Sequence, residues 1–170
     1  ITAQLALRAG AAKVFAVDRC STRLKKARAF GAIDIELDTD PAREIKELTD
    51  GQGADIAIET SGNVAALQSA IRSVCVGGSV VVVSSYQTGA DTVFLGEEFH
   101  RNRVSIYSSM TVNHCPHRAA PRWNLERLNY TALELLQRKE IDVASLITHV
   151  IPFSSAMEAY RLIDQNPCET

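Results

Sequence analysis

The sequence predicts an α/β fold: a doubly wound parallel sheet, incomplete as the chain stands. Three observations carry that prediction. Short apolar runs alternate with segments of helical periodicity along almost the whole chain, the pattern of right-handed crossovers in a parallel sheet. The run Ser79-Val80-Val81-Val82-Val83-Ser84 is β-branched without polar alternation, as in a strand buried on both faces. A third run, Lys13-Val14-Phe15-Ala16-Val17, stops at Asp18 just before a helix start, where such sheets hold ribose hydroxyls on a carboxylate.

The elements follow in order. Ile1 to Ala9 are good helix formers closed by Gly10, suited to the left-handed cap position. Lys13 to Asp18 is a strand, and Ser21 is expected to cap a helix carrying Leu24, Ala27 and Phe30 at helical spacing before Gly31. Ile33 to Leu37 reads as a strand. Asp40-Pro41 is a cap with proline in the first turn, where its missing N–H costs nothing, and Ile45 and Leu48 form the buried stripe. Ala54 to Thr60 is a strand, Asn63 caps a helix lined by Val64, Leu67, Ile71 and Val74, and Gly77-Gly78 turns into the valine strand. After a loop with an extended piece at Thr92 to Phe94 comes a strand at Arg103 to Ser109. Asn124 caps a long helix with Leu125, Leu128, Leu135 and Leu136 facing inward. Ile147 to Phe153 is a strand, Ser154 or Ser155 caps a last helix, and Asn166-Pro167 breaks it.

With 170 residues, 46% of them apolar, the chain can bury one substantial core, and its size favours one domain. A net charge of -2 argues against nucleic acid or an anionic membrane as the main partner. No apolar run has the length of a bilayer span. The four cysteines, Cys20, Cys75, Cys115 and Cys168, show no CxxC spacing and read as separate thiols of a reducing compartment, hence a cytoplasmic location. His114-Cys115-Pro116-His117 is a candidate metal cluster, but a closed site needs more donors, and an exposed polar loop is the simpler reading. His149 reads as a structural histidine in its strand, and the Arg23-Lys25-Lys26-Arg28 cluster as a solvated helix face.

A dinucleotide fold opens with a strand and a glycine-rich turn that set the pyrophosphate on the first helix N-terminus. Here the first helix is present, and that strand and turn are not. In the usual order the absent strand lies between the strands ending at Asp18 and Thr60. Its loss leaves inner-strand backbone groups unpaired at about 1–3 kcal/mol each. Residues 1–170 are therefore expected to be a partial dinucleotide-binding domain from a longer chain.

The segments LALRAGAAKVFAVD (Leu5 to Asp18), RLKKARAFG (Arg23 to Gly31), GADIAIETSG (Gly53 to Gly62), GGSVVVVS (Gly77 to Ser84) and LITHVIPFSSAMEAY (Leu146 to Tyr160) occur in this order. Together they resemble the C-terminal cofactor-binding (Rossmann) part of the medium-chain dehydrogenase/reductase family, most closely its zinc-type alcohol and polyol dehydrogenases. The resemblance implies a nicotinamide-binding half whose partner domain, with the catalytic zinc ligands, lies upstream of Ile1. It places Asp18 on the adenosine ribose, flanked by Arg19 and Arg23. It sets Thr60, Ser61 and Gly62 in a turn near the cofactor, Val83 and Ser84 near the nicotinamide ribose, and the backbone of Ser108, Ser109 and Met110 near the carboxamide. Val83 stands where many members have glycine. The resemblance assigns no catalytic or metal-ligating residue to this stretch, and it sets Thr92 to Phe94 at a subunit interface, implying a homo-oligomeric parent protein.

Asp18 can accept two ribose hydroxyls and would repel a 2′-phosphate, so NAD is expected in preference to NADP; Arg19 and Arg23, which suit phosphate, pull the other way. The expected activity is hydride transfer between a small alcohol or polyol and nicotinamide, with zinc supplied only by the upstream domain. Two other functions fit parts of the pattern. S-adenosylmethionine methyltransferases also set an acid after their second strand, but they end in an antiparallel strand pair. A non-catalytic nucleotide-binding or dimerisation module needs only the sheet and an exposed edge.

Overall fold

The computed structural model describes residues 1–87, 89, 91–110 and 120–170. They form two compact units: unit 1 is Ile1–Leu37 with Glu126–Thr170, and unit 2 is Asp38–Leu125.

Unit 1 opens with α1 (Thr2–Arg8), which ends through Ala9 and Gly10, the glycine at φ +97°. Next comes a strand–helix–strand crossover of β1 (Phe15–Asp18), α2 (Ser21–Ala29) and β2 (Ile33–Glu36). The strands are parallel, from Phe15 opposite Ile33 to Asp18 opposite Glu36. Leu24 of α2 and Ile35 of β2 are fully buried beneath that crossover, with Cys20 and Ala32 beside them. Reciprocal hydrogen bonds between Gln4 and Asp142, Nε2 to the carbonyl at 2.9 Å and Oε1 from the amide at 2.7 Å, tie α1 to the segment after α5 (Leu125–Gln137).

Three expectations fail in this unit. Ser21 does not cap α2: Cys20 is the N-cap and Ser21 opens the first turn. In α5, Leu128 and Leu135 are half-buried, but Leu125 and Leu136 are exposed, because no described element of unit 1 covers the outer part of the apolar stripe. Residues 147–152 form no strand, and Val150 and Phe153 are 90% and 96% exposed. Strand propensity becomes a strand only against a partner edge, and none is paired there. A 3₁₀ turn at Phe153–Ser155 leads into α6 (Ala156–Gln165), which stops ahead of Pro167 as expected.

Unit 2 starts with α3 (Pro41–Glu47), capped by the Asp40 carboxylate, which accepts the Arg43 N–H. Then follow β3 (Ala54–Glu59), α4 (Val64–Ser73), β4 (Val74–Val82) and β5 (Ser105–Ser108), the strands parallel in the order β3-β4-β5. Asn63 caps α4 by accepting the N–H groups of Ala65 and Ala66. Ile71, Val74, Val80 and Val104 make the core, with Leu67, Val82 and Phe99 packed around it. Val74 belongs to β4, not to the face of α4. Gly77-Gly78 lies inside that strand, and Leu48 is exposed. The sheet is covered on one face only within unit 2. Val80 is fully buried, whereas Ile56, Ile58 and Tyr107 on the opposite face are 60%, 43% and 42% exposed, and Val83 is 52% exposed. The expectation that the run Ser79 to Ser84 is buried on both faces therefore holds for one face.

Candidate nucleotide-binding site

In unit 1, Asp18 ends β1 with its side chain turned toward the start of α2. One carboxylate oxygen accepts the Cys20 N–H at 2.8 Å, and the other lies 3.9 Å from Nη1 of Arg23. A carboxylate offers about four lone-pair directions, so the anchored group keeps acceptor capacity for ribose hydroxyls. This chemistry fits the proposed cofactor contact. Arg23 is exposed and also donates to the Pro167 carbonyl, so it is held by the C-terminal turn, and Arg19 is exposed.

That turn is fixed covalently. Cys20 and Cys168 form a disulfide with Cα atoms 5.3 Å apart, and Thr22 Oγ1 donates to the Cys168 carbonyl at 2.7 Å. This overturns the reading of Cys20 and Cys168 as separate thiols. Proximity is set by the return of the chain after α6, which linear spacing does not reveal. Cys75 is a free thiol. His149 is exposed and lies in no strand, and the basic face of α2 is partly engaged, with Arg28 paired to Asp34 and Lys26 Nζ on the Ser145 carbonyl at 3.1 Å.

In unit 2 the parallel register gathers the remaining predicted residues on one sheet edge. Glu59, Val82 and Ser108 are in register at the carboxyl ends of β3, β4 and β5. The Val83 N–H continues the ladder to the Glu59 carbonyl and the Ser109 N–H to the Val82 carbonyl, each at 2.9 Å. Thr60, Val83, Ser84, Ser109 and Met110 therefore leave the sheet side by side, with Thr60, Val83, Ser108 and Met110 exposed. Gly62 sits at φ +71°, and a Cβ there would lie 2.7 Å from the Ser85 carbonyl oxygen, so only glycine lets the Thr60–Gly62 turn touch the loop after β4.

Glu59 itself is the residue the sequence reading missed. Only 5% exposed, its carboxylate accepts Ser61 N–H (2.7 Å), Ser61 Oγ (2.5 Å), Gly62 N–H (3.2 Å) and the Tyr86 hydroxyl. Burial pushes its pKa up, but the bonds from Ser61, Tyr86 and Gly62 outweigh it and hold the group below its ordinary value. Burial and the facing carboxylate raise the Tyr86 phenol. An acid closing an apolar strand directly before Thr-Ser-Gly is the signal that could have revealed this.

Among the described residues, no group of three or more His, Cys, Asp or Glu side chains is arranged to hold a metal, and no helix is long and apolar enough to cross a membrane. The His114 to His117 cluster lies outside the described residues.

Parallel strands joined by helical crossovers, with polar turns and an anchored acid at their carboxyl ends, define an α/β protein of the class that places its ligand sites at the carboxyl ends of its strands. Sequence comparison narrows the class: the profile of the family described as zinc-binding dehydrogenase matches residues 1–127. Escherichia coli (strain K12) D-guloside 3-dehydrogenase is 40% identical over 98% of this chain and 48% of its own length. Among solved structures, an Escherichia coli oxidoreductase/dehydrogenase of unknown specificity superposes with a TM-score of 0.80 at 23% identity, covering 98% of this chain and 44% of that one. An Escherichia coli alcohol dehydrogenase complexed with NADH superposes with a TM-score of 0.76 at 20% identity, covering 98% and 45%. The chain belongs to the zinc-binding dehydrogenase family, within the medium-chain alcohol and polyol dehydrogenases that the resemblance indicated, and it spans about half the length of the curated relatives it matches.

Proposed function

We propose that this chain is the cofactor-binding part of an NAD-dependent alcohol or polyol dehydrogenase. The observation that carries the reading is the Asp18 carboxylate, fixed by the Cys20 amide at the carboxyl end of β1. The relatives' names support a small alcohol or polyol substrate, and the NADH bound to a structural neighbour supports a nicotinamide cofactor. When bound, that cofactor supplies a hydride acceptor or donor. This chain's residues would orient it: Asp18 on the adenosine ribose beside Arg19 and Arg23, Thr60, Ser61 and Gly62 in a turn near the cofactor, Val83 and Ser84 near the nicotinamide ribose, and the backbone of Ser108, Ser109 and Met110 near the carboxamide.

Cofactor choice follows from charge. A 2′-phosphate about 4 Å from Asp18 is repelled by roughly 1–4 kcal/mol per unit charge, depending on solvent screening. Arg23 offsets this weakly, being exposed and engaged with Pro167. NAD is therefore favoured over NADP. The pyrophosphate turn and the zinc ligands are assigned to other parts of the parent protein. Self-association would use the segment around Phe94, which is 57% exposed. A cytoplasmic location loses the support of the cysteines, since Cys20 and Cys168 are bonded.

The test is calorimetric titration of the full-length protein with NAD, NADP and S-adenosylmethionine, for wild type and Asp18→Ser. NAD should bind the wild type best and Asp18→Ser should gain relative use of NADP. An unchanged preference counts against the Asp18 assignment, and S-adenosylmethionine binding would replace the function altogether.

A further inference from the structure

Glu59 joins two loops that the sheet delivers to the same edge by different routes. Its Oε1 takes the amide and hydroxyl of Ser61, and its Oε2 takes the amide of Gly62 and the phenol of Tyr86. The first three donors belong to the turn after β3, the fourth to the loop after β4. Contact between Gly62 and the Ser85 carbonyl closes the same joint from the backbone side. We propose that Glu59 is a positioning residue that clamps the Thr60–Gly62 turn to the Ser84–Tyr86 loop, and that this clamp holds both loops in place for a bound nicotinamide cofactor.

The clamp works from inside the edge. The consecutive N–H groups of Ser61 and Gly62 are turned inward and consumed by the buried carboxylate, so the shape of the turn is fixed by Glu59 and not by the ligand. The Thr60 hydroxyl, which can both donate and accept, stays exposed on the outer side. A neutral side chain at position 59 could not fill the same role. Glutamine has one oxygen for four donors and would set its NH₂ against the others, which loosens one loop or both. This inference rests on the cofactor reading above for the identity of the ligand, but the clamp itself does not.

Two readouts in the full-length protein separate these parts. The first is ultraviolet difference titration of the tyrosines with alkali, compared between wild type and Glu59→Gln, with Tyr86→Phe identifying the Tyr86 signal. Tyr86 should titrate last in the wild type and shift down toward ordinary tyrosines in Glu59→Gln; an unmoved Tyr86 signal overturns the clamp whatever the ligand is. The second is kinetics. Glu59→Gln should raise KM for the nicotinamide cofactor roughly tenfold while kcat stays within about twofold. Tyr86→Phe should raise KM less, and the double variant should fall short of the product of the two effects because one joint is lost either way. An equal loss in kcat, an unchanged KM or full additivity overturns the positioning role. If Glu59→Gln does not fold, Tyr86→Phe alone must still raise the cofactor KM, and no rise overturns the proposal. Absence of any nicotinamide binding by the wild type defeats the functional reading, while the tyrosine titration still decides the clamp.

Discussion

The guanidinium of Arg72, in the last turn of α4, grips the carboxylate of Asp40, the cap of α3, with two hydrogen bonds of 3.0 and 2.6 Å. One side chain thus starts a helix and ties it to its neighbour. The Arg72 bond holds the Asp40 carboxyl below its ordinary value, with burial opposing and the Arg43 amide assisting.

Both members of that pair are more than a third exposed, so the ion pair contributes at most about 1 kcal/mol and the cap contributes about as much. Asp40→Ala is expected to cost roughly 1–2 kcal/mol in urea unfolding, and Arg72→Met about half of that. A depressed carboxyl stabilises above its unfolded pKa, about 3.9, and loses that contribution as pH falls through the folded value. The gap between wild type and Asp40→Ala should be constant near neutrality and narrow below about pH 4. A gap undiminished in acid would contradict the charged role.

The Cys20–Cys168 bond should show in heat denaturation. Closing so long a loop typically stabilises by about 2–4 kcal/mol, with both cysteines in unit 1. A reductant is expected to lower the melting of unit 1 by at least about 8 °C and leave that of unit 2 in place. Cys168→Ser should melt like the reduced protein and ignore reductant. Identical wild-type curves with and without reductant would rule out the bond as a stabilising element.

Gly53 offers a comparison within one loop. It sits at φ +95°, and a Cβ would fall 2.6 Å from the Ser73 carbonyl oxygen; Gly51, at φ +82°, has nothing within 4 Å. Gly51→Ala should cost only the left-handed penalty of about 1–2 kcal/mol. Gly53→Ala adds a backbone clash and should cost at least about 1 kcal/mol more in chemical denaturation. Equal losses would mean that the backbone around Ser73 yields freely.

What could be read from the sequence was local. Asp40-Pro41 and Asn63 announce their helices because a cap acts within three residues of itself, and the alternation of elements identifies a parallel sheet whatever its exact boundaries. The position of Asp18 at a strand end was legible for the same reason, being defined by the strand itself. Pairing across the chain was not legible. Ile147 to Phe153 has strand composition, but a strand exists only beside an edge. Cys168 meets Cys20 only through the turn after α6, which also takes hold of Arg23. Glu59 escaped notice because a single acid at a strand end resembles a solvated one until its four donors are seen together.

Unit 2 is one continuous stretch of chain, but unit 1 is two stretches separated by the whole of unit 2. The disulfide bridges those two stretches directly. It turns residues 20 to 168 into a covalent ring in which the separated parts of unit 1 face each other at high effective concentration, whether or not the residues from 38 to 125 are folded. Refolding with the bond intact then lets the discontinuous unit reassemble without waiting for the continuous one.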